Sequence, residues 1–111
     1  EGVNINSNAT FNMLGKLYQG SQQNPHNSLN INGGSLLNID GDLTTYGHMV
    51  LNSNASLKVK GNVTIFGDLT LNQGTKIEFI GSKSVITIHG KVIKNGKPTI
   101  TGTYVDTNNK L

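Results

Sequence analysis

Aliphatic residues alternate with polar ones in short runs along nearly the whole chain, as in Leu57-Lys58-Val59, Val63-Thr64-Ile65 and Leu69-Thr70-Leu71. A period of two is the signature of a β-strand with one face buried and one exposed. The runs are too short and too regularly interrupted for helices. Gly, Asn and Asp separate them, and these residues supply the positive φ angles and tight turns that corners require. The pattern predicts an all-β chain built from many short strands.

The runs also repeat. Leu37, Ile39 and Gly41 recur twenty positions later as Leu57, Val59 and Gly61, and again as Ile77, Phe79 and Gly81. Leu29-Asn30-Ile31, Met49-Val50-Leu51 and Leu69-Thr70-Leu71 keep the same interval, as do Leu43-Thr44-Thr45-Tyr46-Gly47 and Val63-Thr64-Ile65-Phe66-Gly67. Near the start, Val3-Asn4-Ile5-Asn6-Ser7-Asn8-Ala9-Thr10-Phe11 matches the segment from Met49 to Leu57 after an insertion in residues 20–28. Near the end, Ile86-Thr87-Ile88-His89-Gly90 matches the segment from Val63 to Gly67 after a corner insertion at residues 82–84.

A fixed period of this size marks a solenoid, in which each coil buries its apolar side chains against its neighbours. The expected fold is a parallel β-helix of about five coils of ~20 residues, three short strands each. The coils begin near Val3, Leu29, Met49, Leu69 and Val92, and the last is partial, over residues 98–111. The whole chain, 1–111, reads as a single domain. A right-handed coil follows from the usual bias of parallel crossovers. The rival arrangement is an antiparallel sandwich of short strands; insertions confined to corners argue against it.

Stacking in register makes the outward columns readable as well. Lys58 falls over Glu78, Asp40 beside Lys60 and Asp68 beside Lys91, so opposite charges become cross-coil neighbours.

Composition agrees with a thin, repetitive core. Hydrophobic residues make up 34% of the 111 positions and aromatics 5%, too little to fill a bulky globular interior. Charged residues make up only 14%, unlike a charged disordered tail. The net charge of +3 is carried by lysine alone. Arginine, the residue suited to bidentate phosphate contacts, is absent, and the lysines are dispersed, so no nucleic-acid partner is expected. Without cysteine there are no disulfides or thiolate metal sites. No apolar run is long enough for a membrane-spanning helix. The start at Glu1 reads as a mature form or a cut fragment.

One outward strip stands out. Tyr46, Phe66 and His89 fall in one column, beside Thr44, Thr64 and Thr87 in the next. A flat strip of rings flanked by hydroxyls suits a glycan or another protein. The plain alternative is a ladder that only stabilises an exposed sheet. Regular threonines also suggest ice binding, but one repeating Thr column is too few.

Other constellations carry less chemistry. Asp40 and Asp42 stand two apart near a turn, as calcium ligands do, yet Lys60 and Asn62 replace them one coil on. His26, His48 and His89 lie in a loop, after a corner glycine and on an outward strand, and are not expected to converge. No metal or other cofactor is expected. Polysaccharide lyases built on β-helices need clustered acids and a basic residue along a groove. Six acids without arginine form no such cluster, so no catalytic residues are assigned and the reading is non-enzymatic. The triplets at Asn8, Asn54 and Asn62 fit the N-glycosylation pattern, which arises by chance in an Asn- and Thr-rich chain.

The repeat from Ser28 to Leu43, SLNINGGSLLNIDGDL, resembles the passenger repeats of secreted bacterial β-helix proteins, the filamentous-haemagglutinin-like exoproteins and autotransporter passengers. That resemblance implies a secreted or bacterial cell-surface location and a structural or adhesive role toward a glycan or protein on a cell surface. Gly61-Asn62-Val63 and Gly67-Asp68-Leu69 are also similar to the rhythm of bactofilins. This second resemblance implies a filament subunit that assembles with copies of itself end to end through open solenoid ends.

Overall fold

The computed structural model describes residues 3–21, 23 and 28–111. Among them there is no helix, and the thirteen strands stack in parallel. The first face of the coil carries β1 (Val3–Ile5), β4 (Ser28–Ile31), β7 (His48–Leu51), β10 (Leu69–Leu71) and β12 (Val92–Lys94), hydrogen-bonded in that order. The second carries β2 (Thr10–Leu14), β5 (Leu36–Asp40) and β8 (Ser56–Val59), and the third β3 (Leu17–Gln19), β6 (Leu43–Thr45) and β9 (Val63–Ile65). Two long strands, β11 (Lys76–Ile88) and β13 (Thr99–Asp106), serve both of these faces. The result is a β-solenoid of about four turns, five levels of strand high. All strand pairings among the described residues are parallel, so the sandwich alternative does not apply.

Register follows the repeat. Val3, Leu29, Met49, Leu69 and Val92 form one column, and Leu37, Leu57 and Ile77 another. Val59 lies between Ile39 and Phe79. Inward residues of the middle levels are fully enclosed: Leu29, Leu37, Ile39, Val59, Val63 and Leu71 have no exposed surface. Each such side chain contributes about 1.5–3 kcal/mol of burial. One inward column departs from this rule at its base, where Gln19 and Thr45 precede Ile65. The buried Gln19 Oε1 and Thr45 Oγ1 have no hydrogen-bond partner among the described residues, each at a cost of about 1–3 kcal/mol.

Two features of the fourth level differ from the spacing. Its second and third strands fuse into β11, so the rule of three short strands per coil holds only for the first three levels. The difference lies at the corner. Levels two and three turn there with Gly41-Asp42 and Gly61-Asn62, whose side chains accept backbone N–H groups one coil on, from Asn62 at 2.7 Å and Val85 at 2.9 Å. At the fourth level Val85 stands in that place, above Asn62, and its side chain offers no acceptor. That level bulges against β13 between Phe79 and Ser84. Ser84 is buried and already back in register with Tyr104, so the surplus falls within residues 80–83 rather than 82–84.

The first corner holds a polar counterpart of the core. Asn6, Asn32, Asn52, Asn72 and Asn95 form a continuous ladder through all five levels. Each Nδ2 donates to the Oδ1 one level below, at 3.1, 2.7, 2.9 and 2.8 Å from bottom to top. Two residues further on, Asn8, Gly34, Asn54 and Gly74 all take positive φ. The Asn8 amide oxygen lies over Gly34 and that of Asn54 over Gly74, where a Cβ would collide with it. Asparagine and glycine therefore alternate along this column.

The two ends are unlike. At the first level the inward Val3 and Phe11 are 44% and 40% exposed. At the last level Lys94, Gly102 and Asp106 take the places held below by Leu71, Phe79 and Ile86. The tail closes over this end. Asn108 Nδ2 donates to the Ile88 carbonyl at 2.9 Å, and the Leu111 N–H donates to Asp106 Oδ2 at 2.7 Å. Leu111 packs against the core, and Tyr104 stacks on Phe79 with ring centroids 4.7 Å apart.

Two measurements check this account. Leu57→Ala should lower the urea-derived unfolding free energy by about 2–5 kcal/mol, against about 0.5 kcal/mol or less for the outward Lys58→Ala. Asn52→Ala interrupts the ladder at its centre and should cost about 1–3 kcal/mol by the same assay.

Candidate functional site

The third face carries the strip singled out in the sequence. Strand alternation turns Thr44, Thr64 and Thr87 outward in one register column. Tyr46, Phe66 and His89 follow two residues later, where their strands end. Tyr46 and Phe66 stack at 4.9 Å with planes 1° apart, and Phe66 and His89 at 4.7 Å with planes 2° apart. Phe66 is 40% exposed.

The spacing fixes what the rings present. Parallel rings this close cannot lie side by side in one plane; they overlap face to face. The strip therefore shows solvent its ring edges, not the open faces that a flat platform for sugar stacking needs. The stack runs from Tyr46 through Phe66 to His89, so a phenol and an imidazole stand at its two ends.

The threonine column is longer than its three predicted members. Tyr18 occupies the position below Thr44 and is 60% exposed. Above, Thr87 Oγ1 donates to Thr107 Oγ1 at 3.2 Å. Both extensions were within reach of the sequence, because Tyr18 follows once the insertion in residues 20–28 is allowed for, and Thr107 from a return to the twenty-residue interval. The column from Tyr18 to Thr107 contains no charged residue.

The remaining polar candidates are held in corners. Asp40 Oδ1 lies 3.6 Å from Lys60 Nζ, the expected pair. Both side chains are well exposed, so the pair contributes about 0–1 kcal/mol. Glu78 and Lys58 share register as expected. Asp68 does meet Lys91, but through the backbone: Lys91 N–H donates to Asp68 Oδ1 at 2.8 Å. His48 Nδ1 in turn accepts the Asp68 N–H at 2.8 Å, while Asp68 Oδ2 lies beyond hydrogen-bond reach at 3.8 Å. His48, Asp68 and the Lys91 amide thus form a third corner ladder. His48 and His89 stand apart on corner and strip, and His26 lies outside the described residues. The Asn8 and Asn54 triplets sit at the positive-φ corner, and Asn62 Oδ1 is engaged by Val85.

Among the described residues no group of three or more His, Asp or Glu side chains converges as a metal site would need, and no helix is long and apolar enough to cross a membrane. Compared with known proteins, the chain matches no family model, and neither a curated protein nor a solved structure shows significant similarity to it.

Proposed function

We propose that this chain is an exported structural and adhesive β-helix module of a bacterial surface or secreted protein. It engages a host or cell-surface partner through its third outer face. The observation that carries this reading is the character of that face: a charge-free column of hydroxyls and a line of stacked ring edges, on a rigid parallel sheet. The second face is different, with Lys58, Glu78, Asp40 and Lys60 along it. Aromatic residues with a polar tip are the side chains most enriched where proteins meet partners. Ring edges and hydroxyls in register suit a flat, hydrogen-bonding surface laid along the solenoid, a protein strand or the rim of a glycan chain. The likeness to passenger repeats supports export.

A bactofilin-like filament subunit is the second reading, favoured by the exposed apolar residues of the first level. Growth through both ends is disfavoured by the tail over the last level, where Leu111, Asp106 and Asn108 cover the core.

The experiment is binding of the fluorescently labelled chain to a glycan array and to cultured epithelial cells. Signal on at least one is expected, with at least a tenfold loss for Phe66→Ala. Removing two ring contacts costs about 1–3 kcal/mol of stability, so circular dichroism should still show a folded sheet. Silence on both surfaces, or binding that survives Phe66→Ala and Thr64→Lys unchanged, would contradict the reading.

A further inference from the structure

The third face sets a bulky column beside a small one. Its outward side chains fall in two columns, the hydroxyls and the rings, two residues apart along each strand. In levels two to four the first column holds threonine and the second a ring: Thr44 beside Tyr46, Thr64 beside Phe66 and Thr87 beside His89. At the first level the two exchange. Tyr18 takes the hydroxyl column, and Gly20 stands below Tyr46, whose N–H donates to the Gln19 carbonyl. Each of these four levels therefore carries one ring and one small residue. A stacking ladder alone gives no reason for the exchange, because Tyr18 lies outside the ring line. Neither column holds Lys, Asp or Glu at these levels.

We propose that the third face is closed by a second copy of the chain, lying alongside the first and pointing the same way. The inference rests on the reading of this face as the contact surface and adds its regulation: a paired chain hides the face, and a single chain offers it. A two-fold axis parallel to the solenoid axis, midway between the two columns, lays each column on the other in the manner of an isologous contact. Every ring then lies over a small residue of the second copy at its own level: Tyr18 over Gly20, Tyr46 over Thr44, Phe66 over Thr64 and His89 over Thr87. The first-level exchange fits this arrangement, since the larger partner simply comes from the other column. His89 over Thr87 also brings an imidazole to a hydroxyl, a hydrogen-bonding pair.

Spacing and charge select this occupant. The ring separations of 4.9 and 4.7 Å are the strand spacing of any sheet laid alongside, so two copies match level for level, however many levels the solenoid has. At the borders the same axis turns Asp42 toward His48, Asn62 toward Asp68 and Val85 toward Lys91, and no like charges oppose. The equivalent pairing on the second face would set Lys58 against Lys60. Four levels by four residues span roughly 19 Å by 13 Å on each copy, far below the ~800 Å² per partner of a stable complex. The pair is accordingly weak and reversible, as a face that must also be offered to a partner requires.

Sedimentation equilibrium from micromolar to millimolar concentration tests the pairing. The weight-average mass should climb from 11.8 kDa toward twice that value. Thr64→Lys should raise the dissociation constant at least tenfold, and Lys58→Ala should leave it unchanged. Because the chain has no cysteine, thiols placed on the face report the register independently of the lysine variant. Thr87→Cys and His89→Cys chains mixed in equal amounts should oxidise to a mixed dimer at least tenfold faster than either variant alone. A single-chain mass up to the millimolar range, Thr64→Lys pairing as the wild type does, or no excess of mixed dimer would overturn the inference. Glycan or cell binding by a chain that stays single, lost in Phe66→Ala, removes the pairing and keeps the reading of the face. A pair that forms while both surfaces stay silent keeps the pairing and removes the adhesive reading.

Discussion

In a parallel solenoid the nearest neighbour of a side chain is its counterpart one coil away, so each position must hold a residue that tolerates its own kind above and below. That constraint organises this molecule. Leucine, isoleucine and valine satisfy it by dispersion and exclusion of water, as in the column from Val3 through Met49 to Val92. Asparagine satisfies it because its amide carries both a donor and an acceptor and can pass a hydrogen bond along indefinitely, as from Asn95 down to Asn6. Rings satisfy it by stacking. A charge does not, since like charges one strand apart repel. The charged residues accordingly alternate in sign, Asp40 beside Lys60, or turn to backbone amides at corners, as Asp42 and Asp68 do.

The same constraint explains why so polar a chain holds a fold at all. Its apolar residues are few, but they are concentrated on inward positions that repeat, so the middle levels enclose them completely. Polar side chains are used as extensions of the hydrogen-bond ladder rather than as surface filler. Three corners, in the same register as the core, thus carry their own columns of bonds: the asparagine ladder, the Asp42–Asn62 pair and the His48–Asp68 pair. Where such a column lapses, the backbone changes shape. At the fourth level the missing acceptor coincides with the bulge in β11.

Coil boundaries, strand register and the inward columns were legible in the chain because they depend only on spacing. The pairing of Asp40 with Lys60 and the alignment of Tyr46, Phe66 and His89 followed for the same reason. What spacing does not encode is the direction of a side chain about its own bonds. The rings therefore read as a flat strip, although at coil separation they must turn their faces to one another. Lys91 read as the ionic partner of Asp68, but its amide makes the contact. The asparagine ladder was visible as a recurrence at 6, 32, 52, 72 and 95, and it passed as turn chemistry because asparagine serves corners equally well without a ladder. That the tail from Val105 to Leu111 would blunt one end was legible in Asp106, Asn108 and Asn109, but the end of the apolar columns was not, since Lys94, Gly102 and Asp106 belong to them only once the final register is known.

Enclosure of Val59 between Ile39 and Phe79 concentrates all of this in one place. Nuclear Overhauser spectroscopy on methyl-labelled protein measures it directly. The account predicts strong cross-peaks from the Val59 methyls to the methyls of Ile39 and to the ring of Phe79, positions twenty residues away in opposite directions along the chain. A folded protein in which Val59 shows neither contact would contradict it.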